Sequence, residues 1–287
     1  MFRFADSLLE PGNELNPNED QIGYGESFCF AMDGASSLSG VNIMGKSDAR
    51  WFVQRIAGAL TAAFEKGPDV DVPQVLTQAV EEARALYNEK LEKLHKHEPG
   101  DSPSCGIALF WQVEDVLHFF GLGDCVGVLA LPDGQRFYSL DTSLPNLDNG
   151  VLEEMVRIHK QTGVSMREAR KQCNHILLRN REMRNHPEGY YVLDLSGVGI
   201  EKARQASFPM TGDVRACCFS DGFAQLAELF GFYEGYAGLL DAMGEESLQA
   251  MYRKLYKAQE KDADCNDYPR FKLRDDTCAV YGTFTKA

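Results

Sequence analysis

Between residues 105 and 140 lie four apolar runs, near 105–112, 115–122, 125–131 and 135–140, joined only by short turns such as Pro132-Asp133-Gly134. Turns this short connect antiparallel neighbours, whereas parallel strands need a crossover of about a dozen residues or more. The block therefore limits the chain to folds built on antiparallel sheets. Further strand patterns flank it: a hairpin within 17–36, then "GYYVLDL" (189–195), "KARQASF" (202–208), "VRACCF" (214–219) and the final "TCAVYGTF" (277–284). Helical periodicity falls between them. Ser47 is placed to cap a helix through "DARWFVQRIAGALTAAF" (48–64), and Pro73 opens a second over 73–98. Two more are expected near 148–161 and 165–185, and others follow Ser220-Asp221-Gly222 to about 262. Hairpins interrupted by helix pairs give an α+β fold of antiparallel sheets covered by helices. No repeat or low-complexity linker divides the chain, so one domain over 1–287 is expected, with a helical insertion at about 145–187.

Acidic residues gather at the ends of these strands. A tight turn centred on Gly25-Glu26 would pair Tyr24 with Ser27, Ile22 with Cys29, Asp20 with Ala31 and Glu19 with Met32, bringing Asp33 beside the start of the first strand. Cross-strand and diagonal neighbours lie about 5 to 8 Å apart, so Glu19, Asp20 and Asp33 converge on a small volume. Taken alone, such a hairpin end reads as a solvated surface, and an Asp-Gly after a strand as an ordinary turn. Here the pattern repeats: Asp221 terminates "VRACCF" as Asp33 terminates "FCFAM", and a glycine follows each. Asp124 sits between two strands, and Asp275-Asp276 precede the last. Like charges this close repel unless a shared proton or a cation compensates, and oxygen-only ligands suit hard divalent ions, Mg²⁺ or Mn²⁺.

Composition removes other classes. A formal charge of -14 argues against nucleic acid or an anionic membrane as partner. No run has the length of a membrane span, and the start "MFRFADSLLEPGNE" lacks the apolar core of a signal peptide. The eight cysteines are scattered with no C-x-x-C pair, as expected of reduced core residues in a cytoplasmic protein.

In order, "NED" (Asn18 to Asp20), Asp33-Gly34, Gly123-Asp124, Ser220-Asp221-Gly222-Phe223 and Asp275-Asp276 cover nearly the whole chain. In this order and spacing the sequence resembles the metal-dependent type 2C protein phosphatases. The stretch "MDGASSLSG" followed by "SDARWFV" looks most like a divergent bacterial branch. The resemblance implies two stacked antiparallel β-sheets flanked by helix pairs, with two Mn²⁺ or Mg²⁺ ions at one end and, in bacterial members, a third. By position, Asp33 would bridge both metals, and the carbonyl of Gly34 would bind one of them. Asp221 and Asp275 would hold the second, with Asp276 the alternative to Asp275. Glu19 and Asp20 would act directly or through water, and Asp124 would help hold the third ion. The implied activity is hydrolysis of phosphoric monoesters, phosphoserine and phosphothreonine in a protein substrate, by a hydroxide bridging two metals, with Asp33 and Asp221 as catalytic residues.

Departures from the family pattern keep a second reading open, a non-catalytic relative used as a binding or regulatory module. The arginine that family members often carry shortly before the first acidic motif is absent from "NELNPNED". Ala35 stands where many eukaryotic members have histidine, and Cys278 where threonine or serine is usual. A substrate phosphate still needs a cation. The helical insertion, which the family places as a flap beside the active site, offers Arg179, Arg181 and Arg184 as candidates; otherwise they form a solvated basic face.

Overall fold

The computed structural model describes residues 1–96, 102–141 and 143–286. With strands numbered in chain order, one sheet runs β1 (Phe2–Glu10), β11 (Thr277–Phe284), β10 (Val214–Phe219), β6 (Val126–Ala130), β7 (Arg136–Tyr138). The other runs β2 (Gln21–Tyr24), β3 (Phe28–Gly34), β4 (Ser104–Val113), β5 (Val116–Leu122), β9 (Arg204–Pro209), with the short β8 (Leu193–Asp194) added beside β4. Neighbours in both sheets pair antiparallel, as the short turns require.

The two sheets stack face to face. Alternation along β3 sends Cys29 and Ala31 inward to meet Cys218 of β10 and Cys278 and Val280 of β11, while Phe28, Phe30 and Met32 face out. That outer face is covered by α1 (Asp48–Phe64) and α2 (Val72–Leu94). In α1, Phe52, Val53, Ile56, Leu60 and Phe64 are buried at helical spacing, each worth about 1.5 to 3 kcal/mol once removed from water. The Ser47 hydroxyl accepts the Arg50 amide hydrogen and fixes the start of α1, as the sequence indicated. The outer face of the other sheet is covered by α6 (Asp221–Glu228), α7 (Gly235–Ala242) and α8 (Leu248–Lys261). All eight cysteines are buried and unpaired with one another. Among the described residues no helix is long and apolar enough to cross a membrane.

Several expectations need correction. The hairpin pairs Gln21 with Met32, Ile22 with Ala31, Gly23 with Phe30 and Tyr24 with Cys29, because the turn is centred on Glu26-Ser27, one residue later than expected, and closes with the Gly25 amide donating to the Phe28 carbonyl. One residue past the Gln21–Met32 pair, Asp20 therefore comes opposite Asp33 rather than Ala31. Strand β1 was not anticipated; it lies at a sheet edge and buries only Phe2 and Leu8, so its apolar pattern is thin. The helix expected over 165–185 breaks at Cys173 into α4 (Met166–Gln172) and α5 (Asn174–Glu182), following α3 (Ser143–Thr162). Only Leu193 and Asp194 of "GYYVLDL" form a strand. The second helix, expected to reach residue 98, ends at Leu94, where His95 turns left-handed (φ +51°) and its amide donates to the Glu92 carbonyl.

Candidate active site

The strand-end acids meet where the two sheets open at one end. Asp33 follows Cys29 and Ala31 on the inward face of β3, so its carboxylate emerges at the mouth of the sandwich. Opposite it, Asp20 is only 4% exposed, and both of its carboxylate oxygens are buried without a hydrogen-bond partner. Burial pushes both carboxyls well above the usual carboxylate range. The charges of Asp276, Asp275 and Asp221 add to the rise at Asp20, and those of Asp20, Asp221 and Asp124 to the rise at Asp33.

Asp221 opens α6 directly after β10. There the Ser220 hydroxyl accepts the Cys278 amide hydrogen and ties the strand end to β11. Burial and then the charges of Asp275 and Asp124 push the Asp221 carboxyl up to about 7. Asp124 sits in the turn between β5 and β6, where Gly123 takes a φ of +71° and lies so close to Gly106 that a side chain at 123 would meet its Cα at 3.0 Å. Arg204 secures that turn by donating to the Gly123 carbonyl at 2.8 Å. Burial first, then Asp148, Asp141 and Asp275, raise Asp124 to about 6.

The neighbouring acids Asp275 and Asp276 are separated by their partners. Asp276 accepts the Gly12 amide on one oxygen and the Glu19 amide on the other, both at 2.7 Å, so it pins the "NED" loop. Asp275 instead lines the cleft with Asp33, Asp124 and Asp221. Glu19 lines no part of that cleft; its carboxylate is held by the hydroxyls of Ser36 and Ser47, and burial raises it. Gly34 packs against the Glu19 backbone so closely that a Cβ would stand 2.6 Å from the Glu19 carbonyl oxygen.

The cleft has two lobes of about 200 and 340 Å³ that share Asp124, Asp148, Asp221, Lys272 and Asp275. Asp148 and Lys272 were missed from the sequence because neither ends a strand: one comes from α3, the other from the loop before β11. Burial and the Asp221 charge push Asp148 up to about 7, against the pull of Arg181. Of the three candidate arginines, Arg181 lines the smaller lobe and donates to the Ser36 carbonyl. Arg179 is exposed and lines neither lobe. Arg184 is committed elsewhere, to Ser102 and to Asp194 at 3.2 Å, tying the insertion to β8.

A set of buried carboxylates that raise one another is relieved by protons or by hard cations, and all of its donors are oxygen. The pairless oxygens of Asp20 and the common cleft of Asp33, Asp124, Asp221 and Asp275 fit such an ion. Among the described residues no three acidic, histidine or cysteine side chains are already drawn to ligand distance around a common point.

Structural comparison finds the same architecture in solved proteins. The Mycobacterium tuberculosis serine/threonine phosphatase PstP/Ppp matches 100% of this chain and 99% of its own, with a TM-score of 0.57 and 16% identity. The catalytic domain of PstP in complex with 2 manganese ions matches 98% and 97%, with a TM-score of 0.56 and 15% identity. PppA of Pseudomonas aeruginosa matches 99% and 97%, with a TM-score of 0.54 and 14% identity. At these identities the likeness shows the fold. No curated protein matches the sequence. The sequence profile described as Protein phosphatase 2C matches residues 14–258, most of the length and four of the five acidic motifs, so the chain belongs to the protein phosphatase 2C family.

Proposed function

We propose that this protein is a Mn²⁺- or Mg²⁺-dependent phosphoric monoester hydrolase acting on phosphoserine or phosphothreonine of a protein substrate. The observation that carries the reading is the meeting of Asp33, Asp124, Asp221 and Asp275 at one cleft, with the pairless carboxylate of Asp20 buried opposite Asp33. The manganese pair described for the PstP catalytic domain supports the choice of ion. In this reading Asp33 and the Gly34 carbonyl would hold the metals from β3, Asp221 at the start of α6 and Asp275 before β11 would hold one of them, and Asp124 would serve a third. When bound, the ions would polarise the phosphoryl oxygens and acidify a water for in-line attack.

The chain's own residues then have separate tasks. Asp20, whose burial among other acids makes it hold a proton more readily than an ordinary carboxyl, would give up that proton when a cation binds. Glu19, held by two serines, orients the loop that presents Asp20 and packs on Gly34. Arg181, on the segment read as a flap, supplies positive charge to a bound phosphopeptide. Hydrolysis of para-nitrophenyl phosphate with and without Mn²⁺ tests the reading. Asp33→Asn should abolish the stimulated rate while the variant still melts cooperatively, and Asp124→Ala should weaken activity while calorimetry still finds the tighter metals. A wild type whose melting and hydrolysis ignore both Mn²⁺ and chelator would return the chain to the non-catalytic reading.

A further inference from the structure

We propose that Lys272 is the group that receives the substrate's phosphate dianion at this cleft; its ligand class rests on the phosphatase reading above. Among the described residues Lys272 is the one basic side chain common to both lobes. Its ammonium lies 2.5 Å from an Asp275 oxygen, with the charges of Asp221 and Asp33 next in strength around it. Even so the side chain is 49% exposed, so it can be reached from the cleft and can leave Asp275 for a stronger anion. Arg170 and Arg181 line the smaller lobe alone, and three further basic side chains are held by acids. Arg270 is buried against Asp262, Arg184 against Asp194, and Arg204 pairs with Asp141.

The loop around Lys272 is held in a way that suits a positioned contact. The Arg270 guanidinium binds the Asp262 carboxylate at 2.6 Å and also donates to the carbonyls of Tyr268 and Leu273, on either side of Lys272. Both charged partners are 6% exposed. A buried ion pair contributes little net stability, and its documented use is to specify geometry. Beside it, Phe271 packs into the apolar cluster of the helical insertion with Val151 and Met155. Lys272 thus projects from a clamped turn, at the seam between the acidic strand ends and the insertion. An ammonium there offers a point charge and rotatable donors to phosphoryl oxygens, in a chain that lacks an arginine before "NED".

Inorganic phosphate is the probe. Calorimetry on Mn²⁺-loaded wild type, Lys272→Met, Lys272→Gln and Lys272→Arg, each checked by thermal melting, measures its binding, and a separate Mn²⁺ titration measures metal affinity. Met and Gln should weaken phosphate about tenfold, the loss of one charge-assisted hydrogen bond, and Arg should stay within about threefold of wild type. Mn²⁺ should bind the Met and Gln variants as tightly or more tightly, since Asp275 loses its competitor. Two neutral shapes are used so that a misfolded Met variant still leaves Gln. Unchanged phosphate affinity in the neutral variants, or no phosphate binding by the wild type, overturns the proposal and leaves Lys272 as a counter-ion of Asp275. If the wild type fails to hydrolyse para-nitrophenyl phosphate, the phosphatase reading falls, yet the phosphate titration still decides Lys272 by the same two outcomes.

Discussion

Replacing Asp221 by asparagine should stabilise the metal-free protein and remove its response to manganese. In the ion-free fold, burial with Asp275 and Asp124 pushes the Asp221 carboxyl from an ordinary 3.8 up to about 7. A raised carboxyl holds its proton more tightly folded than unfolded, so its stabilising contribution is complete below pH 3.8 and is lost as pH rises through about 7. At about 1.4 kcal/mol per pH unit, the rise corresponds to a ceiling of about 4 kcal/mol lost above pH 7. Two effects reduce what the substitution recovers. Asp33 and Asp124 titrate together with Asp221, so removing one charge relaxes the others, and a negative charge in the first turn of α6 is itself worth about 0.5 kcal/mol. A gain of about 2 kcal/mol remains, or about 3 °C in Tm for a chain of 287 residues. The assay is thermal melting of wild type and Asp221→Asn in chelator at pH 5 and pH 8, repeated with Mn²⁺. In chelator the variant should melt higher than wild type at pH 8, by much less at pH 5, and Mn²⁺ should raise Tm for the wild type alone. A variant that melts at or below wild type in chelator at pH 8 would refute the electrostatic account of the cluster.

The remaining predictions follow from backbone contacts and buried pairs. Gly34→Ala should destabilise by about 1 to 3 kcal/mol in chemical denaturation, because its Cβ would stand 2.6 Å from the Glu19 carbonyl oxygen. Asp276→Asn leaves one acceptor where two amides now bind, and should cost about 1 to 2 kcal/mol in the same measurement without metal. Arg184→Met removes one partner of a pair whose side chains are 10% and 8% exposed, and should lower stability by about 3 kcal/mol. The exposed Arg179→Met should stay within about 0.5 kcal/mol of wild type in parallel melts.

Elements with a clean period were legible before any coordinates. "TCAVYGTF" forms β11 over Thr277–Phe284, and "DARWFVQRIAGALTAAF" forms α1 over Asp48–Phe64 behind its Ser47 cap. In both, local pattern and tertiary burial agree. Where they part, the sequence misled. The break at Cys173 carries no proline or glycine; Cys173 is buried with Val151 and Met155, so packing turns the helix there. Likewise "GYYVLDL" has strand composition, yet the Tyr191 carbonyl accepts from the Gly123 amide and only Leu193 and Asp194 extend β4.

The same division runs through the site. Its acids were legible because a strand end fixes the position of its last side chain, and the sheets decide where strand ends meet. Even the two-residue error in hairpin register left Asp20 near Asp33, and the observed pairing brings them opposite. The cations were not legible, because their placement depends on loops and helices whose course no local pattern sets. Arg179, Arg181 and Arg184 are near neighbours in sequence, yet one faces solvent, one the cleft and one the buried Asp194. Lys272 meets Asp275 from a loop that Arg270 and Asp262 hold. The physical consequence is a division of labour between the two kinds of charge. The acids stand on or directly beside strand ends and form a cluster of buried carboxyls that raise one another. The basic groups stand on loops and helices outside the strands, where the buried pairs Arg270–Asp262 and Arg184–Asp194 hold the backbone.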